Sequence, residues 1–124
     1  MPIMAPSISV VEGARLKVIA EVTNKTIPAG STDVTVIDPT DVSGYKFKTI
    51  TFKVDYAFPF KLQVSDDGTT WDDLVTNSDV VGYSADKLIV LSTEEDFLYM
   101  RLLMSNPDTA DHTVNYARIK GRAL

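Results

Sequence analysis

The chain has 124 residues, a length that suits one domain and can bury a core without disulfide or metal staples. It contains no cysteine and a single histidine, which excludes disulfide scaffolds, thiolate zinc sites and multi-histidine metal sites within one chain. The formal net charge of −5 argues against a nucleic-acid-binding protein and against binding to anionic membranes. We see neither a run of the ~20 apolar residues that a transmembrane helix needs nor a signal peptide.

Residues 1–14 differ from the rest of the chain in composition. Pro2 and Pro6 disfavour helix and hold this segment extended, so we predict an N-terminal arm over 1–14 and one domain over 15–124. The arm binds either its own domain or a neighbouring subunit; the alternative is an ordinary first edge strand. In the assembly interpretation, its apolar side chains are the partner-binding residues, namely Ile3, Met4, Ile8, Val10 and Val11.

The remaining sequence has the pattern of an all-β domain. Valine, isoleucine and threonine are abundant, and turn-forming pairs such as Asp38-Pro39 and Asp67-Gly68 recur at short intervals. Apolar and polar residues alternate in most of the segments between these turns. The segments that we interpret as strands lie within 16–22, 34–36, 45–56, 58–64, 88–91, 98–104 and 112–120. We therefore predict an antiparallel two-sheet β-sandwich, jelly-roll-like, with about seven or eight strands.

In the long segment 45–56 the apolar residues switch from odd-numbered to even-numbered positions. Tyr45 and Phe47 are odd-numbered, whereas Ile50 and the apolar residues after it are even-numbered. A β-bulge near Lys48 and Thr49 would return all of them to one face of the sheet, and we predict one there.

The most distinctive local motif is the hairpin Ser65-Asp66-Asp67-Gly68-Thr69-Thr70-Trp71. The Asp-Gly pair supplies the positive-φ residue of a tight turn, and we interpret Trp71 as packing under the hairpin, with sugar stacking as the alternative. The acidic residues around it raise the question of calcium binding, but they lack the spacing of an EF-hand calcium loop. We therefore interpret them as a solvated turn. These residues are Asp66, Asp67, Asp72 and Asp73.

No residue pattern predicts catalysis or a cofactor. His112 would have to serve any histidine-based mechanism, and no serine stands in a nucleophile-elbow motif. We therefore expect a non-enzymatic protein without metal or cofactor, and we interpret His112 as a strand-edge residue.

Three segments resemble a known group of proteins. Asp41-Val42-Ser43-Gly44-Tyr45-Lys46, the hairpin from Leu62 to Trp71, and the closing strand Val114 to Arg122 resemble, in that order, small β-sandwich structural proteins of tailed bacteriophages. The resemblance covers residues 41–124 and rests on turn and core patterns, so no functional residue is carried over from it.

The resemblance implies a capsid decoration (cement) protein on the outer surface of the virion. Its partners would be the major capsid protein and further copies of itself, with a trimer favoured, and without nucleic acid or membrane. The alternatives are a head–tail or tail component, and a discoidin-like carbohydrate-binding adhesion module.

Overall fold

Eight strands make up the computed structural model, which describes residues 16–123. One short 3₁₀ turn, Asn77–Asp79, follows the fifth strand. The strands are β1 (Lys17–Ile27), β2 (Ser31–Asp41), β3 (Phe47–Val54), β4 (Phe60–Ser65), β5 (Asp72–Thr76), β6 (Ile89–Thr93), β7 (Tyr99–Asn106) and β8 (His112–Arg122).

The strands form two four-stranded sheets in which all neighbours are antiparallel. Sheet A has the order β1-β8-β3-β6, and sheet B has the order β2-β7-β4-β5. The first four strands thus pair with the last four in reverse order, which is the arrangement of a jelly roll. The predicted two-sheet sandwich is confirmed, whereas the predicted N-terminal arm lies outside the described residues.

The connecting loops divide between two ends of the sandwich. The register places Lys17 opposite Gly121, Phe47 opposite Arg122, and Lys48 opposite Thr93. The start of β1, the end of β8 and the loops 42–46, 66–71 and 94–98 therefore lie at one end, which we call the terminal end. The loops 28–30, 55–59, 77–88 and 107–111 lie at the opposite end.

The core is the space between the two inner faces. Phe52 of sheet A meets Phe60 of sheet B edge to face, with their ring centroids 5.1 Å apart. The alternating residues Met100, Leu102 and Met104 of β7 are buried, whereas Leu98 precedes β7 and is exposed. Burial of these apolar side chains between the two sheets stabilises the fold.

The bulge predicted in β3 is wrong. β3 pairs without interruption from Phe47 to Lys53, so Phe47 faces outward and Lys48 faces the interior. The Lys48 Nζ donates hydrogen bonds to the backbone oxygens of Glu95, at 2.6 Å, and Tyr45, at 3.2 Å. Burial lowers the pKa of Lys48, while the charges of Asp96 and Glu95 oppose this effect. The lysine thereby ties β3 to the loop after β6.

A register shift in β1 exposes two residues that the alternation places inside. The shift lies between Val18 and Ala20, so Val18 pairs with Lys120 and points outward with 54% of its surface exposed. Leu16 is exposed as well. The outer face of sheet A therefore carries apolar side chains near the terminal end.

Gly121 provides a test of this packing. A Cβ built on Gly121 would lie 2.5 Å from ring atoms of Tyr45 and 2.8 Å from the Cδ1 of Ile19. Gly121→Ala should therefore lower the free energy of unfolding by about 1–3 kcal/mol through overpacking, as measured by urea denaturation. Gly44→Ala is the control, because a Cβ there meets nothing within 4 Å. Equal losses in the two variants would contradict the packing described here.

Candidate interaction surfaces

The arm residues predicted to bind a partner precede the described part of the chain. Ile3, Met4, Ile8, Val10 and Val11 all lie outside residues 16–123, so their role stays a prediction. The structure does show where the arm joins the domain. Leu16 lies at the terminal end, on the rim of a depression at that end of sheet A.

This depression has a volume of about 420 Å³. Its lining comes from all four strands of sheet A or the residues next to them: Leu16, Phe47, Lys48, Thr49, Ser92, Thr93, Glu94 and Arg122. The Arg122 guanidinium lies 4.2 Å from the centroid of the Phe47 ring, which places a cation over an aromatic face. Thr49 and Ser92 share a hydrogen bond of 2.9 Å between their hydroxyls. The surface thus combines apolar and polar contacts.

Two buried polar atoms on this side of the molecule have no hydrogen-bond partner among residues 16–123. They are the Oγ1 of Thr51 and the Nε of Arg122. Thr51 lies in β3, opposite Val90 of β6 and Arg118 of β8. Arg122 lines the depression. Since buried polar groups are normally paired, each of these two atoms can still form a hydrogen bond with a group outside residues 16–123.

The edge of sheet A beyond the depression is formed by β6. β6 pairs with β3 on one side, and no described strand lies on its other side. Val90 is 55% exposed, and Leu88, just before the strand, is 53% exposed. The two side chains form an apolar margin along an edge whose backbone groups are available to another strand.

The outer face of sheet B carries a polar ladder. Asp73 accepts a hydrogen bond of 2.8 Å from the Gln63 side-chain amide, and Gln63 accepts one of 2.8 Å from the Nε of Arg101. The Arg101 guanidinium lies 4.2 Å from the centroid of the Trp71 ring. Three strands therefore contribute to a flat surface that joins an aromatic ring to amide, cationic and acidic groups.

The predicted place of Trp71 under the hairpin is wrong. Trp71 is half-buried, lies against Arg101 on the outer face and is absent from the buried core. The ring beside the turn belongs to Tyr99, which a Cβ on Gly68 would meet at 3.5 Å. Long-range pairing of β4 with β7 brings Arg101 to Trp71, which the local motif does not show.

The acidic hairpin is organised by its own hydrogen bonds. The Asp67 carboxylate accepts bonds from the backbone N–H groups of Thr70 and Thr69 and from the Ser65 hydroxyl, and these lower its pKa. Among residues 16–123 no group of three or more histidine, aspartate or glutamate side chains is arranged to hold a metal ion. The hydrogen bonding accounts for Asp67 as a turn residue.

His112 lies at the start of β8, at the opposite end of the sandwich. Its Nε2 is 2.7 Å from the Oδ2 of Asp108, and this hydrogen bond lowers the pKa of Asp108. Its ring stacks on Tyr56 with the centroids 4.3 Å apart. The Nδ1 is 3.9 Å from the Oδ1 of Asp55, which also accepts the N–H of Thr113. These contacts hold the loop before β8 against the loop after β3.

No protein-family model matches the sequence, and no curated protein matches it. Residues 16–123 contain no helix that is long and apolar enough to cross a membrane. Solved structures do share the architecture. PirA matches with a TM-score of 0.52 and 13% identity over 82% of this chain and 93% of that chain.

A protein of Bacillus endospore appendages, described as disulfide-linked pili, matches with a TM-score of 0.50 and 11% identity over 90% of this chain and 94% of its own. Lower TM-scores, 0.49 and 0.42, relate the chain to a family 29 carbohydrate-binding module and to a pentameric capsid protein from metagenomic phage sequences. The identities for these two are 10% and 11%. At such identities the likeness is one of fold alone.

Proposed function

We propose that this protein is a non-enzymatic structural component of a bacteriophage virion, specifically a capsid decoration protein that binds the assembled shell and neighbouring copies. The observation that carries the proposal is a jelly roll whose first described residue borders a depression at the terminal end of sheet A. Jelly rolls are a common architecture of capsid proteins and of lectin domains. In this proposal the arm predicted over residues 1–14 is the adhesive segment.

The segments that resemble phage structural proteins contribute to folding rather than to binding. Val42 is fully buried, and the Asp41 carboxylate accepts two hydrogen bonds from Ser43. Tyr45 packs on Gly121. The resemblance therefore supports the fold and its use in phage particles, while the binding surfaces are argued from the geometry above.

Adhesion to a shell requires many modest contacts rather than one strong site. Several copies bound to each other and to a symmetric lattice raise one another's effective concentration, so the avidity exceeds the affinity of each contact. A small cyclic oligomer, with a trimer favoured, suits this mechanism. The outer surface of the capsid is the proposed location.

The proposal is tested on shells assembled from the major capsid protein of the same phage without this chain. The full-length protein should co-sediment with the shells to saturation, and deletion of residues 1–12 should weaken binding by about 100-fold or more because avidity is lost. Thermal melting serves as the control for an intact sandwich. Equal saturation by the deletion variant would contradict the role of the arm. Binding to isolated tails but not to shells would identify a tail component instead.

The ladder on sheet B supports a second candidate function, carbohydrate binding. Sugars bind where an aromatic ring gives an apolar platform and nearby polar groups bond to hydroxyls, and Trp71 lies beside such groups. The site is on a sheet face rather than at the loop tips. Tyr83, an aromatic residue of the loop 77–88, is half-buried and donates a hydrogen bond to the Phe58 carbonyl.

A glycan array followed by titration at millimolar ligand tests this candidate. Trp71→Ala should abolish any binding that the full-length protein shows, because the ring supplies the apolar contact. Tyr116→Ala is a matched control, since Tyr116 lies under the guanidinium of Arg118 at 4.5 Å on the outer face of the other sheet. An array without any bound glycan, or equal losses in both variants, would remove the candidate.

A further inference from the structure

The four edge strands of the sandwich differ in how well they resist the addition of another strand. β2 has three register shifts and contains Pro39, and β5 begins with Asp72 and Asp73. β1 has a register shift and three charged side chains on its edge. Bulges, proline and charge are the features that block edge-to-edge pairing. β6 has none of them, since its sequence is Ile-Val-Leu-Ser-Thr and its pairing with β3 is regular.

The arm contains one segment that matches this edge in chemistry and length. Residues 7–11, Ser-Ile-Ser-Val-Val, are neutral and rich in β-branched residues, as is β6. Ile8 and Val10 share one side of an extended segment, where they can cover apolar side chains of the edge. Val90 and Leu88 are the exposed apolar residues available there.

We propose that residues 7–11 of one copy add as a strand to the free edge of β6 in a second copy. This inference rests on the proposed function, because it names the surface through which the arm joins neighbouring subunits. Main-chain hydrogen bonds along β6 supply the affinity, and the alternate side chains of the arm supply specificity. Each copy both donates an arm and accepts one, so the contact links copies in a head-to-tail manner.

The distance that an arm would have to span within one chain favours a second copy. β1 and β6 are opposite edges of sheet A, with β8 and β3 between them. At a strand spacing of about 4.8 Å, a strand added beyond β6 lies roughly 19 Å from β1. The five residue steps from Leu16 back to Val11 reach roughly 17 Å when fully extended. Val11 therefore falls short of its own β6 edge, so the five-residue segment 7–11 cannot pair there along its full length.

The depression beside β6 provides the path by which an incoming arm leaves the edge. Arg122 lines it with an Nε that has no acceptor among the described residues, and Thr51 has an unpaired hydroxyl on the same side. Backbone carbonyls of the incoming arm, or the carboxylate of Glu12, would supply acceptors. The occupied surface would then satisfy groups that the isolated domain leaves unpaired.

Because the chain lacks cysteine, disulfide trapping tests the proposal in the full-length protein. One batch carries Val10→Cys or Ile8→Cys, and a second batch carries Val90→Cys. Mixing the two batches under mild oxidation should give a cross-linked dimer on non-reducing gels, since paired side chains on adjacent strands lie near disulfide distance. Val81→Cys is the matched control: Val81 is 99% exposed and lies in the loop before β6.

The expected result is cross-linking to Val90→Cys at least tenfold faster than to Val81→Cys. Equal rates would overturn the proposal. A chain carrying both Val10→Cys and Val90→Cys that closes an internal disulfide at high dilution would also overturn it, because the arm would then cover its own β6. Melting temperatures of each variant verify that it is folded.

The outcome is separable from that of the shell-binding experiment. Selective cross-linking without shell binding would retain the arm site and reject the decoration role. Shell binding that depends on the arm, with unselective cross-linking, would retain the decoration role and reject β6 as the acceptor.

Discussion

The backbone of an edge strand has hydrogen-bond donors and acceptors on one side that the sheet itself cannot pair, and this constraint shapes the whole molecule. Within the described part of the chain, the two open sheets have four such edges, and three of these carry charges, proline or register shifts that hinder pairing. β6 is the exception, and the neutral β-branched segment of the arm has the composition to pair with it. A protein that assembles through one edge must protect the other three.

Lys48 connects two loops at the terminal end of the sandwich. Lys48 is buried there, and its ammonium group bonds to the carbonyls of Tyr45 and Glu95 on two different loops. Tyr45 in turn packs on Gly121 at the end of β8. These contacts hold the rim of the depression in place, so a segment that docks there would meet a surface that is already organised and would lose less conformational entropy.

Local patterns were enough to predict the class of fold, because alternation and turn residues such as Asp67-Gly68 report on one strand or hairpin at a time. They failed where contacts with residues distant in the sequence determine which way a side chain faces. The inward position of Lys48 depends on a carbonyl 47 positions away, and the bulge that turns Val18 outward depends on its register with β8. The surfaces were less predictable still. Arg101 meets Trp71, and β6 becomes an edge, only through the order of strands in the two sheets.

Amide hydrogen exchange at β6 tests the central claim most directly, because it reports on the backbone groups that the arm would pair. The account predicts that the amides of Ile89–Thr93 exchange slowly in the full-length protein at high concentration, and faster on dilution or after deletion of residues 1–12. Exchange at β6 that is the same in all three conditions would contradict assembly by strand addition at this edge.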